Sequence, residues 1–144
     1  MSSNLNPNVW GPHYWFMLHT IAVQYPENPT KIVKKTYYDF MVQFHNFIPD
    51  ASSKTHFIEL SERYPVSSYL DNRESFMKYI YFIHNHFNEI NNKSKQNYDI
   101  AWENYFKHYD QDTIKRQKRY ILYKKLFYMT VFFSLVVIIF LLQK

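Results

Sequence analysis

Cysteine is absent from the 144 residues, and glycine occurs once, at Gly11. Without a thiol the chain forms no disulfide, holds no thiolate-ligated metal and has no cysteine nucleophile. A single glycine excludes the Gly-x-Gly-x-x-Gly turn of a Rossmann unit and the phosphate-cradling P-loop, which need backbone that only glycine permits. Any nucleotide has to be held in another way. Scarce glycine, few turn dipeptides and long aromatic-rich periodic segments argue against a sheet protein and for packed helices. The expected class is all-α: a four- to five-helix bundle followed by a C-terminal transmembrane helix.

Acidic residues are missing from the C-terminal end. All 12 Asp and Glu lie at or before Asp112, where only ten Lys and Arg fall, so residues 1–112 carry −2 although the whole chain carries +5. Lys115, Arg116, Lys118, Arg119, Lys124 and Lys125 stand just before an apolar run, and Lys144 ends the chain. That is a membrane-flanking distribution and not a nucleic-acid face. Charge is then absent from the 17 residues Leu126 to Leu142. They make about 25 Å of helix, near the short end for a bilayer core of roughly 30 Å. The run is apolar all round, whereas a soluble core helix normally keeps a polar stripe. Tyr120, Tyr123 and Tyr128 suit an interfacial belt, and Lys124 and Lys125 suit snorkelling into headgroups. The expected organisation is a helical domain over 1–112, a basic juxtamembrane segment over 113–125 and a tail anchor over 126–142. No secretory signal pattern stands at Met1-Ser2-Ser3-Asn4-Leu5. The positive-inside rule then places the N-terminal domain of a single-pass protein in the cytosol, a reducing compartment.

Along the chain, a first helix is expected from Asn8 to Tyr25, with Trp15, Leu18, His19 and Ala22 on one face. A second follows Thr30 as N-cap and carries Ile32, Tyr37, Phe40, Phe44 and Phe47 up to Pro49. A third begins at Asp50 and stops near Pro65. Asp71 as N-cap with Glu74 at N3 approaches a capping box and opens a fourth helix to about Asn92, striped by Phe76, Ile80, Ile83, Phe87 and Ile90. Asn91 to Asn97 reads as a plain polar loop, and a short fifth helix over Tyr98 to Tyr109 leads into the basic stretch.

Seven histidines invite a metal site, with His84, His86 and His56 as the obvious members. Helical positions i and i+2 point apart, and neither a His-x-x-x-His pair nor a thiolate is available, so no metal is expected. Ser53 has no evident general-base partner, and no Ser-His-Asp arrangement is legible.

Three stretches carry a resemblance: Trp10-Gly11-Pro12-His13-Tyr14-Trp15-Phe16-Met17-Leu18-His19, Lys54-Thr55-His56-Phe57 and His84-Asn85-His86-Phe87-Asn88. In order and spacing, from about Trp10 to Tyr105, they resemble the Erv/ALR family of flavin-linked sulfhydryl oxidases, and are similar to the short forms carried by large DNA viruses. The resemblance implies a helical bundle that encloses FAD and commonly dimerises, in a host or virion membrane. It implies cofactor-binding positions at Trp10, Trp15, His19, His56, His84, Asn85, Asn88 and Lys93. Aromatic faces suit flat rings, His and Asn edges supply oriented donors and acceptors, and Lys offsets pyrophosphate charge. Singly, each has a plainer reading: Trp15 as core filler, His19 as a satisfied core histidine.

The family's chemistry starts at a Cys-x-x-Cys pair at a helix N-terminus, where the dipole favours thiolate. The dithiol reduces flavin, oxygen reoxidises it, and hydrogen peroxide leaves. Asp50 and Ser53 stand at those two positions here. Neither a carboxylate nor a hydroxyl can become a disulfide, so no catalytic residue is intact, and Asp50 is expected to act as an N-cap. The reading is a membrane-anchored sulfhydryl oxidase homologue, inactive for want of its dithiol, whose thiol-protein partner is unknown. The alternative is a structural or interaction protein that binds no flavin.

Overall fold

Asn6 opens the first helix, α1 (Pro7–Val23): its side chain accepts from the Asn8 N–H, and Pro7 stands where a missing N–H costs nothing. The computed structural model describes residues 5–142, and every regular element among them is helical. After α1 come α2 (Lys31–Gln43), a 3-10 turn (Phe44–Phe47), α3 (Ala51–Arg63), a 3-10 turn (Val66–Tyr69), α4 (Arg73–Ile90), α5 (Tyr98–Lys107) and α6 (Gln111–Leu142). The chain divides into two compact units, Met1–Ala101 and Trp102–Lys144.

Sequence chemistry accounts for most boundaries. Thr30 caps α2 through the Val33 N–H, and Asp50 caps α3 through the Ser53 N–H. The fourth helix departs from expectation. Asn72, not Asp71, is its N-cap and accepts from the Ser75 N–H at 2.9 Å. Asp71 is instead drawn to Lys34 at 2.6 Å, and Glu74 turns along its own helix to Lys78. No capping box closes there. Asn competes as well as Asp for an N-cap, and tertiary charge claimed the carboxylate.

In the first unit α1 packs along α4. Leu18 and Ala22 meet a core that includes Phe57, Leu60, Phe76, Tyr79, Ile80 and Ile83, all buried. Tyr25 is wholly buried; its hydroxyl donates to the Leu70 carbonyl at 2.8 Å and its own carbonyl accepts from Arg73 Nε at 2.7 Å. These bonds tie the end of α1 to the start of α4. Three residues expected on apolar stripes lie outside: Ile32, Phe47 and Ile90 are exposed, while Met41 and Phe44 fill the core. The helix tightens to 3-10 at Phe44, which rotates Phe47 off the stripe an unbroken α-helix would have continued.

In the second unit α6 is a single helix of 32 residues, about 48 Å long. Ile114–Ile139 is long and apolar enough to cross a membrane, with mean hydropathy 1.7 and none of it buried.

Candidate functional site

Packing of α1 on α4 brings together residues 65 positions apart: His19 Nε2 and His84 Nδ1 share a hydrogen bond of 3.1 Å. Only one proton fits between two ring nitrogens, so one imidazole donates and the other accepts, and the pair is stable as neutral rings. Burial pushes His19 down to about 4. Burial, the neighbouring His19 and the Lys93 charge push His84 down to about 3. Trp15, one helical turn before His19, lies flat on His84, with ring centroids 4.3 Å apart and planes within 12°. Phe87 meets Trp15 edge-on at 5.3 Å.

Beside this stack is a small apolar cavity of about 20 Å³ lined by Trp10, Tyr14, Trp15, Leu18, Phe44, Ile48, Phe57 and Phe87. Its volume is that of about one water. Trp10 and Tyr14 hold one side: their rings meet edge-on at 4.9 Å, and the Tyr14 hydroxyl donates to the Phe47 carbonyl at 3.0 Å. Ile48 and Phe57 bracket Asp50 and Ser53 in the chain, so these two positions lie at the edge of the aromatic cluster. Ser53 is buried, one turn from Phe57 on the same face of α3. Asp50 Oδ1 accepts from the Ser53 N–H at 2.9 Å, and its Oδ2 is sealed from solvent with no hydrogen-bond partner among the described residues.

The remaining expected residues separate. Asn88 is buried on α4, one turn after His84. Lys93 follows the helix end, where Asn92 adopts φ 54° and the N–H groups of Asn92 and Lys93 return to the carbonyls of Glu89 and Asn88. That is a Schellman ending, with Asn in the left-handed position usually taken by glycine. Asn85 uses its amide otherwise: Nδ2 donates to the Gln96 carbonyl and Oδ1 accepts from the Gln96 N–H, each at 3.0 Å. The Tyr81 hydroxyl donates to the same carbonyl at 2.7 Å. The segment 91–97 is therefore pinned to α4 and is not the plain loop its composition suggests. His56 is half-exposed on α3, with Nδ1 3.6 Å from Glu59. His84 and His86 go to different partners; His86 Nδ1 donates to the Phe82 carbonyl, and its ring packs on Phe82 and Tyr64.

Sequence reasoning missed Tyr14, Phe44, Ile48 and Phe87 as cavity walls, because aromatic and aliphatic side chains at helical spacing look like any core. It also missed Gln96, whose part is played by its backbone.

Trp15 and His19 each touch His84 on the α1–α4 pair and Asn88 lies one turn further along α4, flat faces and polar edges of the kind a flavin nucleotide uses, while the adjoining cavity of about 20 Å³ is far smaller than a flavin ring system.

Comparison with known proteins gives the same direction. The Erv1 / Alr family pattern matches residues 12–117. A probable FAD-linked sulfhydryl oxidase of Acanthamoeba polyphaga mimivirus is 30% identical over 100 residues, covering 69% of this chain and 70% of the relative. The FAD-linked sulfhydryl oxidase of African swine fever virus is 27% identical over 106 residues, covering 74% and 84%. Among solved structures, the FAD binding domain of Erv1 from Saccharomyces cerevisiae superposes with a TM-score of 0.67 at 20% identity, over 74% of this chain and all of that one. With the helical fold and the sequence match in agreement, the chain belongs to the Erv1/Alr family, as a homologue of FAD-linked sulfhydryl oxidases that has no cysteine with which to form the redox disulfide.

Proposed function

We propose that this chain is a membrane-anchored flavin-binding member of its family that no longer oxidises thiols. The observation that carries the proposal is the contrast between a composed Trp15–His84–His19 cluster and the carboxylate and hydroxyl at positions 50 and 53. FAD, when bound, supplies a two-electron acceptor ring. Trp10 and Trp15 offer faces for flat rings, His19 and His84 remain neutral edge partners at physiological pH, Asn88 supplies an oriented amide, and Lys93 supplies charge for pyrophosphate. The two hydrogen bonds between Asn85 and Gln96 support a role in holding the Lys93 segment. His56, half-exposed on α3 beside Glu59, is assigned to the site by the family resemblance alone.

Without cysteine the chain offers no disulfide for a substrate thiolate to attack and no thiolate to pass the two electrons on to a flavin. The helical domain is read as residues 1–112 and the basic stretch 113–125 as juxtamembrane. The excess of Lys and Arg on that side supports a cytosolic domain, in a host or virion membrane. Val9, Phe16 and Met17 form an exposed apolar strip on α1, which supports the homodimer the family implies.

The test is purification of the full chain in detergent. Flavin absorbance should co-purify and fall at least tenfold in His84→Ala and Asn88→Ala, while dithiothreitol-driven oxygen consumption stays at the level of free flavin. Asp50→Cys combined with Ser53→Cys should create turnover that neither single change gives. A folded, colourless protein that takes up no added FAD would overturn the reading and favour a non-enzymatic interaction protein.

A further inference from the structure

The basic stretch does more than mark one end of the apolar run. It continues the same helix. α6 is 32 residues long. Its uncharged part, Leu126 to Leu142, occupies about 25 Å, which leaves roughly 22 Å of rigid helix before it. Within that leading part, Lys118, Lys115, Arg119 and Arg116 fall at successive angles around the axis and cover an arc of about 160° at 3.6 residues per turn. Ile114, Gln117 and Ile121 take the other side. Lys124 and Lys125 form a second tier at the start of the uncharged run. Among the described residues none of these six cations is held in an ion pair. Arg116 also borders an open apolar depression that it shares with Gln117, Tyr120 and Ile121. Cation, phenol and aliphatic surface therefore stand side by side, as a lipid with a charged head and an apolar chain requires.

We propose that residues 115–125 of α6 form a binding site for anionic glycerophospholipid, a two-tier cationic collar that gathers acidic headgroups around the crossing segment. The proposal rests on α6 crossing a bilayer. The uncharged run of about 25 Å approaches the roughly 30 Å of a hydrocarbon core, so Lys124 and Lys125 fall at its boundary and the rest of the basic stretch extends through the headgroup layer. Arg119 lies about 8 Å and Lys115 about 14 Å further out along the axis, and side chains of this length reach back toward the phosphates. The outer tier then stays within about a Debye length, ~8 Å, of the charged surface. Lipid is favoured over nucleic acid because the cations are fixed to the membrane-crossing helix and interleaved with exposed Tyr120, Leu122 and Tyr123, which suit the interface.

The experiment places the full chain in nanodiscs of phosphatidylcholine and phosphatidylserine in equal amounts. Co-elution with the discs reports insertion, and electron paramagnetic resonance of spin-labelled lipids reports which lipid is held at the protein. Phosphatidylserine should be preferred about fivefold or more, the equivalent of one fully engaged cation, and the preference should weaken in high salt. Replacing Lys115, Arg116, Lys118 and Arg119 together by Gln should bring it close to parity with the chain still in the discs, whereas arginine at positions 115 and 118 should preserve it. Parity in the inserted wild-type chain would overturn the collar while leaving the anchor intact, and so would a preference that survives the fourfold Gln variant. An oligonucleotide that displaces phosphatidylserine from the inserted chain would reassign the surface to nucleic acid. Failure to enter discs would overturn the crossing helix and the lipid site with it.

Discussion

His19 and His84 are hydrogen-bonded to each other where burial disfavours their charged forms, and that couples the stability of the fold to pH. Their folded values, about 4 and about 3, lie below the ordinary 6.5, so between these limits the unfolded chain binds more protons than the folded one. Stability is complete above pH 6.5 and is lost progressively as the pH falls toward 4, by about 2 kcal/mol for each histidine at pH 5. Thermal unfolding of the full chain in detergent at pH 7, 6 and 5 should show this decline, and His19→Asn with His84→Asn should flatten it. A wild-type midpoint unchanged between pH 7 and pH 5 would refute the buried neutral pair. Sequence alone left His19 between cofactor ligand and satisfied core histidine; a partner 65 residues away decided that it is hydrogen-bonded, and no local pattern encodes that pairing. Asp50 is the opposite case. Its N-cap bond to Ser53 was legible, because capping depends on three consecutive residues and a helix start.

At the scale of elements, local chemistry set the starts of α1, α2, α3 and α5, where Asn6, Thr30, Asp50 and Asn97 accept from N–H groups two or three residues on. It failed at α4, where Lys34 from another helix took Asp71 and Asn72 became the cap. Segment 91–97 shows the same dependence. Its Asn, Lys and Ser composition reads as loop, yet a Schellman ending at Asn92 and the Asn85 amide fix its course. Asn85→Ala removes two of the three bonds to Gln96 and should cost about 1 kcal/mol, since water can replace partners on an exposed segment. Amide exchange at residues 94–97 should accelerate in that variant more than in Tyr81→Phe, which removes one bond. Equal exchange in wild type and Asn85→Ala would show that the clamp does not hold the loop.

For the molecule as a whole, charge and hydropathy divide the chain more sharply than any motif. Truncation after Asp112 should release a soluble, folded domain with its melting temperature within a few degrees of the full chain in detergent, whereas the full chain should stay with membranes after high-salt washing. Recovery of the full chain in the aqueous fraction without detergent would contradict the anchor, and protease protection of the domain in sealed cytosol-out vesicles would contradict its orientation. The sequence by itself determined the helical class, the long apolar C-terminal helix, the caps at Thr30 and Asp50, and the impossibility of disulfide chemistry, because composition, periodicity and absent atoms require no partner. Only the tertiary structure decided that Trp15 lies flat on His84, that His19 and His84 share a proton, that Asn85 spends its amide on Gln96, and that Ile48 and Phe57 bring positions 50 and 53 to the edge of an aromatic cavity. Each of these is a contact between helices or across a loop, and its energy depends on distances that no spacing along one segment specifies.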